Sequence, residues 1–146
     1  MTNDPIRVVI DTNIWVSMAL GSRVVSEQMA YLLQDPNLDV FVSAELLEEL
    51  TDTLAKPRLQ KYLSHNRTKN LFDLIWEKAK LTVVDSTETF CRDKKDDFII
   101  NLAIDANASF IITGDQDLLV LHPIRHISIC TLSSFLSISP SLPSIG

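Results

Sequence analysis

Apolar residues along this chain come in short β-branched runs separated by longer stretches with helical spacing. Ile6 to Ile10 (Ile-Arg-Val-Val-Ile) reads as a buried strand, and the apolar segment Asn13 to Leu20, closed by Gly21-Ser22, as a helix. A second helical pattern runs through Val25, Met29, Leu32 and Leu33 to the breaker Asp35-Pro36-Asn37. Val40-Phe41-Val42 is the second strand, and Ser43 is placed to cap a helix over Ala44 to Ala55 whose apolar face is Leu46, Leu47, Leu50 and Leu54. After Lys56-Pro57 a short helix is predicted from Arg58 to Leu63, then a longer one from Lys69 to Lys80 with Leu71, Leu74, Ile75 and Trp76 turned inward. Strands at Leu81–Val84, Ser109–Thr113 and Ile127–Ile129 alternate with helices at Asp97–Asn107, Gln116–Leu121 and Thr131–Ile138. Strands alternating with helices predict an α/β fold, a parallel sheet covered by helices on both faces.

Length and composition agree with a single domain. The chain has 146 residues, 46% of them hydrophobic, enough for a core without covalent staples. The domain is expected to span residues 1–138, with Ser139 to Gly146, which holds two prolines and three serines, as a disordered tail. Cys91 and Cys130 stand far apart and form no metal or disulfide pattern, the first residues lack a signal-peptide layout, and no apolar run is long enough to span a bilayer. These point to a cytoplasmic protein without a membrane segment. The net charge of -6 argues against generic attraction to nucleic acid.

The chemistry is concentrated in four acids, each at the edge of an element. Asp11 ends the first strand and Asp115 follows Thr113-Gly114 after the fourth, the ends at which open parallel sheets build their sites. Gly114 is expected to allow a sharp turn there. Asp96 opens a helix, and Glu49 lies at the flank of the Ala44–Ala55 helix, whereas Glu48 points nearly opposite Leu50. Four carboxylates converging on one point repel one another, a conflict that a divalent cation removes. All-oxygen donors suit Mg²⁺ or Mn²⁺, with support available from Asn13, Asp97, Thr113 and Asp117.

Each acid also has a bland explanation. Asp11 and Asn13 suit a turn that caps the next helix, Asp96 suits an N-cap, and the three glutamates of the third helix suit a solvated face. His65, His122 and His126 share no ligand spacing and read as surface or structural residues. Arg58, Lys61, Arg67 and Lys69 form a loose basic region that reads as a solvated face. There is no glycine-rich phosphate loop and no nucleophile elbow.

The ordered motifs Val9-Ile10-Asp11-Thr12-Asn13, Ser43 through Glu49-Leu50, Leu54-Ala55-Lys56-Pro57-Arg58-Leu59, Lys95-Asp96-Asp97 through Ala103, and Ile112 through Leu119 resemble those of PIN-domain ribonucleases. They are most similar to the bacterial subgroup described as toxin components of toxin–antitoxin systems, over roughly residues 6 to 136. The resemblance implies a three-layer α/β/α sandwich and an acidic quartet of Asp11, Glu49, Asp96 and Asp115 that binds metal and cleaves RNA. Within Asp96-Asp97 and Glu48-Glu49 the family position is open by one residue. The resemblance also implies a small antitoxin partner and a homodimer. The second class compatible with the sequence is a catalytically weak RNA-binding or antitoxin-binding module that keeps the fold without useful turnover.

Overall fold

A computed structural model of the chain describes residues 4–90 and 96–138. The expected tail and Lys94-Lys95 lie outside the described residues. Five parallel strands make one sheet: β1 (Ile6–Ile10), β2 (Leu38–Val42), β3 (Ala79–Leu81), β4 (Phe110–Ile112) and β5 (Ser128–Cys130), in the order β3-β2-β1-β4-β5. The helices are α1 (Thr12–Ala19), α2 (Arg23–Leu33), α3 (Ala44–Leu54), α4 (Pro57–Gln60), α5 (His65–Lys78), α6 (Asp97–Asp105), α7 (Gln116–Leu119) and α8 (Leu132–Ile138). They flank the sheet in a three-layer α/β/α sandwich. Among the described residues no helix is long and apolar enough to cross a membrane.

The central strands explain the β-branched runs. Val8, Val9 and Ile10 of β1 and Ile111 and Ile112 of β4 are wholly buried, because helices cover both faces of a parallel sheet. On the helix side Trp15, Met29, Leu32, Leu46, Leu50, Ile100 and Leu102 complete the same core. Ser22, Ser43 and Ser64 each accept a backbone N–H from the first turn of the helix that follows, and so set the phases of α2, α3 and α5.

Three expectations are corrected. α5 starts at His65, not Lys69, because the Ser64 hydroxyl caps it. Trp76 is not inward: it is 91% exposed, since the buried row of α5 is Leu71 and Ile75 and Trp76 lies one position round the helix from it. β3 is Ala79–Leu81, not Leu81–Val84, because α5 runs directly into a strand whose Ala79, Lys80 and Leu81 pair with Val40, Phe41 and Val42. Val83, placed in a strand by its branching alone, is 80% exposed beyond it.

One row of α6 holds the segment that follows β3. Asp97, Asn101 and Asp105 stand four residues apart, on one face of the helix. Phe90 N–H donates to Asp97 Oδ1 at 2.9 Å, and Glu88 exchanges two bonds with the Asn101 amide, at 3.1 and 3.0 Å. Asp105 accepts the N–H groups of Asp85 and Ser86 together with the Ser86 hydroxyl. Those bonds hold the Asp105 carboxyl below its ordinary pKa, with the Ser86 hydroxyl the largest cause. The strand-to-helix connection is thus laced along α6, and Asp97 is part of the lacing.

Candidate active site

The chain runs from β1 outward through β2 to β3, then returns to the other side of β1 for β4 and β5. The reversal makes the β1–β4 junction the switch point of the sheet, where the connections leave in opposite directions and open a crevice beyond the strand ends. Ile10 pairs with Ile112 there, and Asp11 N–H donates to Ile112 O at 2.9 Å. The next side chains on the two strands are Asp11 and Thr113.

Asp11 occupies the N-cap position of α1, yet its side chain does not cap the helix. Its Oδ2 instead accepts the Thr113 hydroxyl at 2.7 Å, a bond buried in the crevice floor. The same Thr113 oxygen accepts the backbone N–H of Asp115 at 3.0 Å. One fully buried hydroxyl therefore fixes Asp11 and the start of the Asp115 turn relative to each other. The Asp115 carboxylate caps α7, taking the Asp117 N–H at 2.9 Å. Gly114 is not in the left-handed region, and a Cβ at that position would meet nothing within 4 Å, so the turn does not depend on glycine. Aspartate as strand end and cap is what shapes it.

Burial raises the Asp11 carboxyl above its ordinary pKa; bonds from the Thr113 hydroxyl and the Thr12 backbone oppose the rise, and the nearby Asp115 charge adds to it. Neither Asp11 nor Asp115 has a Lys or Arg partner among the described residues. Asp11 is buried, and Asp115 lies half-buried beside it.

Glu49 reaches the same place from α3. Thr12, the residue after Asp11, donates its hydroxyl to Glu49 Oε2 at 3.3 Å. Thr12 is itself buried. Glu48 lies one position round the helix, and both glutamates are exposed. Sequence reasoning did not single out Thr12, although its place between Asp11 and Asn13 was visible; only the approach of α3 to the start of α1 gives it a partner.

Asp96 is half-buried at the N-cap of α6 and does not cap the helix with its side chain. Its position in the fold follows from the other end of α6. There Arg7 Nε, near the start of β1, donates to Ala106 O at 2.8 Å, pinning the last turn at the amino ends of the strands. At about 1.5 Å per residue the helix then rises back along β1 and β4, which it packs against, and begins toward their carboxyl ends. Asp97, by contrast, is 7% exposed and holds Phe90. Asn13 and Asp117 are exposed beside the crevice; Asn13, Thr113 and Asp115 open onto a cavity of about 650 Å³. His122 serves the fold, its Nδ1 accepting the Ile129 N–H at 2.9 Å.

The structure thus ties Asp11 to the backbone of the Asp115 turn through the Thr113 hydroxyl, sets Glu49 against the neighbouring Thr12, and opens α6 with Asp96. Among the described residues no three of His, Cys, Asp and Glu stand close enough to enclose a metal ion by themselves. That donor set fits a hard cation held by one or two carboxylates that keeps most of its waters, the usual mode of Mg²⁺. It does not fit a closed structural site.

MJ1680, an uncharacterized protein of Methanocaldococcus jannaschii, is 30% identical over 117 residues, which span 80% of this chain and 75% of that one. The crystal structure of VapBC2 from Rickettsia felis, bound to a DNA fragment from their promoter, contains a chain similar in fold. Its TM-score is 0.57 at 14% identity, over 85% of this chain and 97% of that chain. The model of the PIN domain matches residues 7–117, a span that runs from β1 to the Asp115 turn. With that match over most of its length, the chain belongs to the PIN-domain family, whose members are generally nucleases.

Proposed function

We propose that the chain is an endoribonuclease that uses Mg²⁺ or Mn²⁺ to hydrolyse RNA phosphodiester bonds, and that it is the toxin component of a toxin–antitoxin pair in the cytoplasm. The observation that carries the nuclease reading is the Asp11–Thr113–Asp115 arrangement at the switch point, with Asp11 and Thr113 buried. A buried carboxylate such as Asp11, without a basic partner among the described residues, is costly unless a cation shares the site. The pair with an antitoxin is supported by the order of the motifs and by the fold likeness to a chain of VapBC2. A homodimer belongs to the same reading, and light scattering on the purified protein tests it.

Asp11 and Asp115 are the residues that would hold the cation in this mechanism. When bound, it supplies Lewis-acid stabilisation at the scissile phosphate and makes water a better nucleophile near neutral pH. Thr113 keeps the Asp11 carboxylate oriented. Glu49, oriented by Thr12, and Asp96, at the start of α6, line up the attacking water and take up its proton. In-line displacement leaves a 5′-phosphate and a 3′-hydroxyl. Asp97 is given no part in the chemistry because it holds the Phe90 loop.

Purified protein with a mixed RNA pool and Mn²⁺, beside Asp96→Asn and Asp97→Asn, tests the assignment. Cleavage is expected to disappear in Asp96→Asn and in wild type with chelator, and to persist in Asp97→Asn, where the amide oxygen still accepts the Phe90 N–H. Activity surviving in Asp96→Asn but lost in Asp97→Asn would move the third acid by one residue. Activity equal in all samples and indifferent to chelator would defeat the reading.

Thr113→Val removes the hydroxyl and almost no volume. Groups that orient a metal ligand typically contribute roughly 10- to 100-fold, and a loss of that size in cleavage rate is expected with the fold intact by circular dichroism. An unaffected rate would mean that Asp11 needs no such support.

A further inference from the structure

Beside Asp115 the cavity of about 650 Å³ opens to solvent as a groove lined by residues of α1, α2, α7 and the start of α8. Such a volume falls in the usual range of roughly 300–1,000 Å³ for small-ligand sites. Three amides line it: Asn13, Gln28 and Gln116. Gln28 Nε2 donates to Ser133 Oγ at 3.2 Å, which bridges α2 to α8 and holds that amide in place. The side chains of Asn13 and Gln116 have no protein partner among the described residues. Ile14 and Val25 contribute apolar wall.

The described lining contains no Lys or Arg, while Asp115 stands at one edge. A phosphate would meet a carboxylate there with nothing to offset it, so the cavity does not suit the charged backbone. A nucleobase suits it better. Side-chain amides present a donor and an acceptor side by side, the pattern that pairs with base edges. Apolar wall accepts the faces of a base. No aromatic ring lines the cavity, so the stacking that lets a single-strand binder accept every base alike is missing. Hydrogen bonding to the base edge discriminates where stacking does not.

We infer that this cavity is a base-reading subsite: it receives the base of a nucleotide adjoining the scissile phosphate of a single-stranded RNA, and Gln116 and Gln28 select it through its hydrogen-bonding edge. The inference rests on the nuclease reading, because Thr113 and Asp115 line both the cavity and the acidic pair. A duplex would not serve, since its base edges are already paired and stacked. The subsite also offers this acidic chain a source of RNA affinity that is independent of surface charge.

The test uses short single-stranded RNAs randomised on both sides of one cleaved bond, with wild type, Gln116→Ala and Gln28→Ala. Wild type is expected to prefer one base at one flanking position by about fivefold or more, the scale of a single well-made amide–base contact. Gln116→Ala, which disturbs no protein contact, should reduce that ratio to within about twofold. Gln28→Ala should do the same if its melting temperature matches wild type. A purely structural lesion would slow every sequence equally and leave the ratio intact, which would overturn the subsite while leaving the nuclease reading standing. A ratio unchanged in both variants would overturn it too. Binding of the same RNAs with Ca²⁺ in place of Mg²⁺ separates the two readings. A base preference in binding that Gln116→Ala abolishes would support the subsite even without turnover, and absence of any RNA binding by wild type would overturn the subsite and the nuclease reading together.

Discussion

Asp11→Asn is expected to make the protein more stable and inactive at once. The substitution keeps the shape and leaves an oxygen for the Thr113 hydroxyl, but removes a charge that burial and Asp115 both oppose. Relief of unfavourable site charge of this kind commonly stabilises by about 0.5–2 kcal/mol. Cleavage should fall by well over the roughly 10- to 100-fold assigned to supporting groups, because Asp11 itself would hold the cation. The gain has a definite pH dependence. Because the folded carboxyl has the higher pKa, the folded state retains a proton that the unfolded state has already released. Asp11 therefore lowers stability progressively as pH rises from the ordinary carboxylate range to the folded value, and the penalty is complete above that value. The variant's advantage should accordingly be largest at neutral pH and vanish in acid. Urea unfolding in EDTA at several pH values measures it. Repeating the series with Mn²⁺ should shrink the gap, since only wild type gains from the ion by mass action. An Asp11→Asn protein less stable than wild type in EDTA would show that its carboxylate is a structural acceptor rather than a strained site group.

Phe135→Ala should produce the largest loss of stability. Phe135 is wholly buried in α8, and its ring meets that of Phe110 in β4 edge-to-face, centroids 5.1 Å apart at 80°. Truncating a buried phenylalanine costs about 3–5 kcal/mol, and the edge-to-face pair accounts for some part of it. Against a total of about 5–15 kcal/mol this is a large fraction. The melting temperature should drop by roughly 10 °C or more. The result bears on where the domain ends, because the family match stops at residue 117 while β5 and α8 lie beyond it. A loss under about 1 kcal/mol would mean that α8 is not docked on the sheet, and that the domain does not extend to residue 138 as proposed.

Much of the fold was legible because the physics behind it is local. A β-branched run between breakers had to be a buried strand of a parallel sheet, and Ser43 in front of Leu46, Leu47 and Leu50 had to cap an amphipathic helix. What escaped was decided by neighbours. Val83 has every local mark of a strand residue, but β2 takes Ala79 to Leu81 as its partners. Trp76 is large and apolar, but the phase of α5 against the core is set by Leu71 and Ile75. Gly114 suggested a turn that only glycine permits, yet the backbone there is one that any residue adopts.

The site divides along the same line. The sequence by itself determined that carboxylates end β1 and β4 and open α6, since each position follows from a strand end or a helix start. Only the tertiary structure decided how those acids relate to one another. The reversal of strand order sets β1 beside β4, so Thr113, a hundred residues away in sequence, becomes the hydroxyl that holds Asp11. The approach of α3 gives Glu49 to Thr12, and the lacing of the β3 loop along α6 gives Asp97 a structural task. Strand and helix ends are written in local propensity, whereas hydrogen bonds between distant segments exist only after the core has buried both partners in one register.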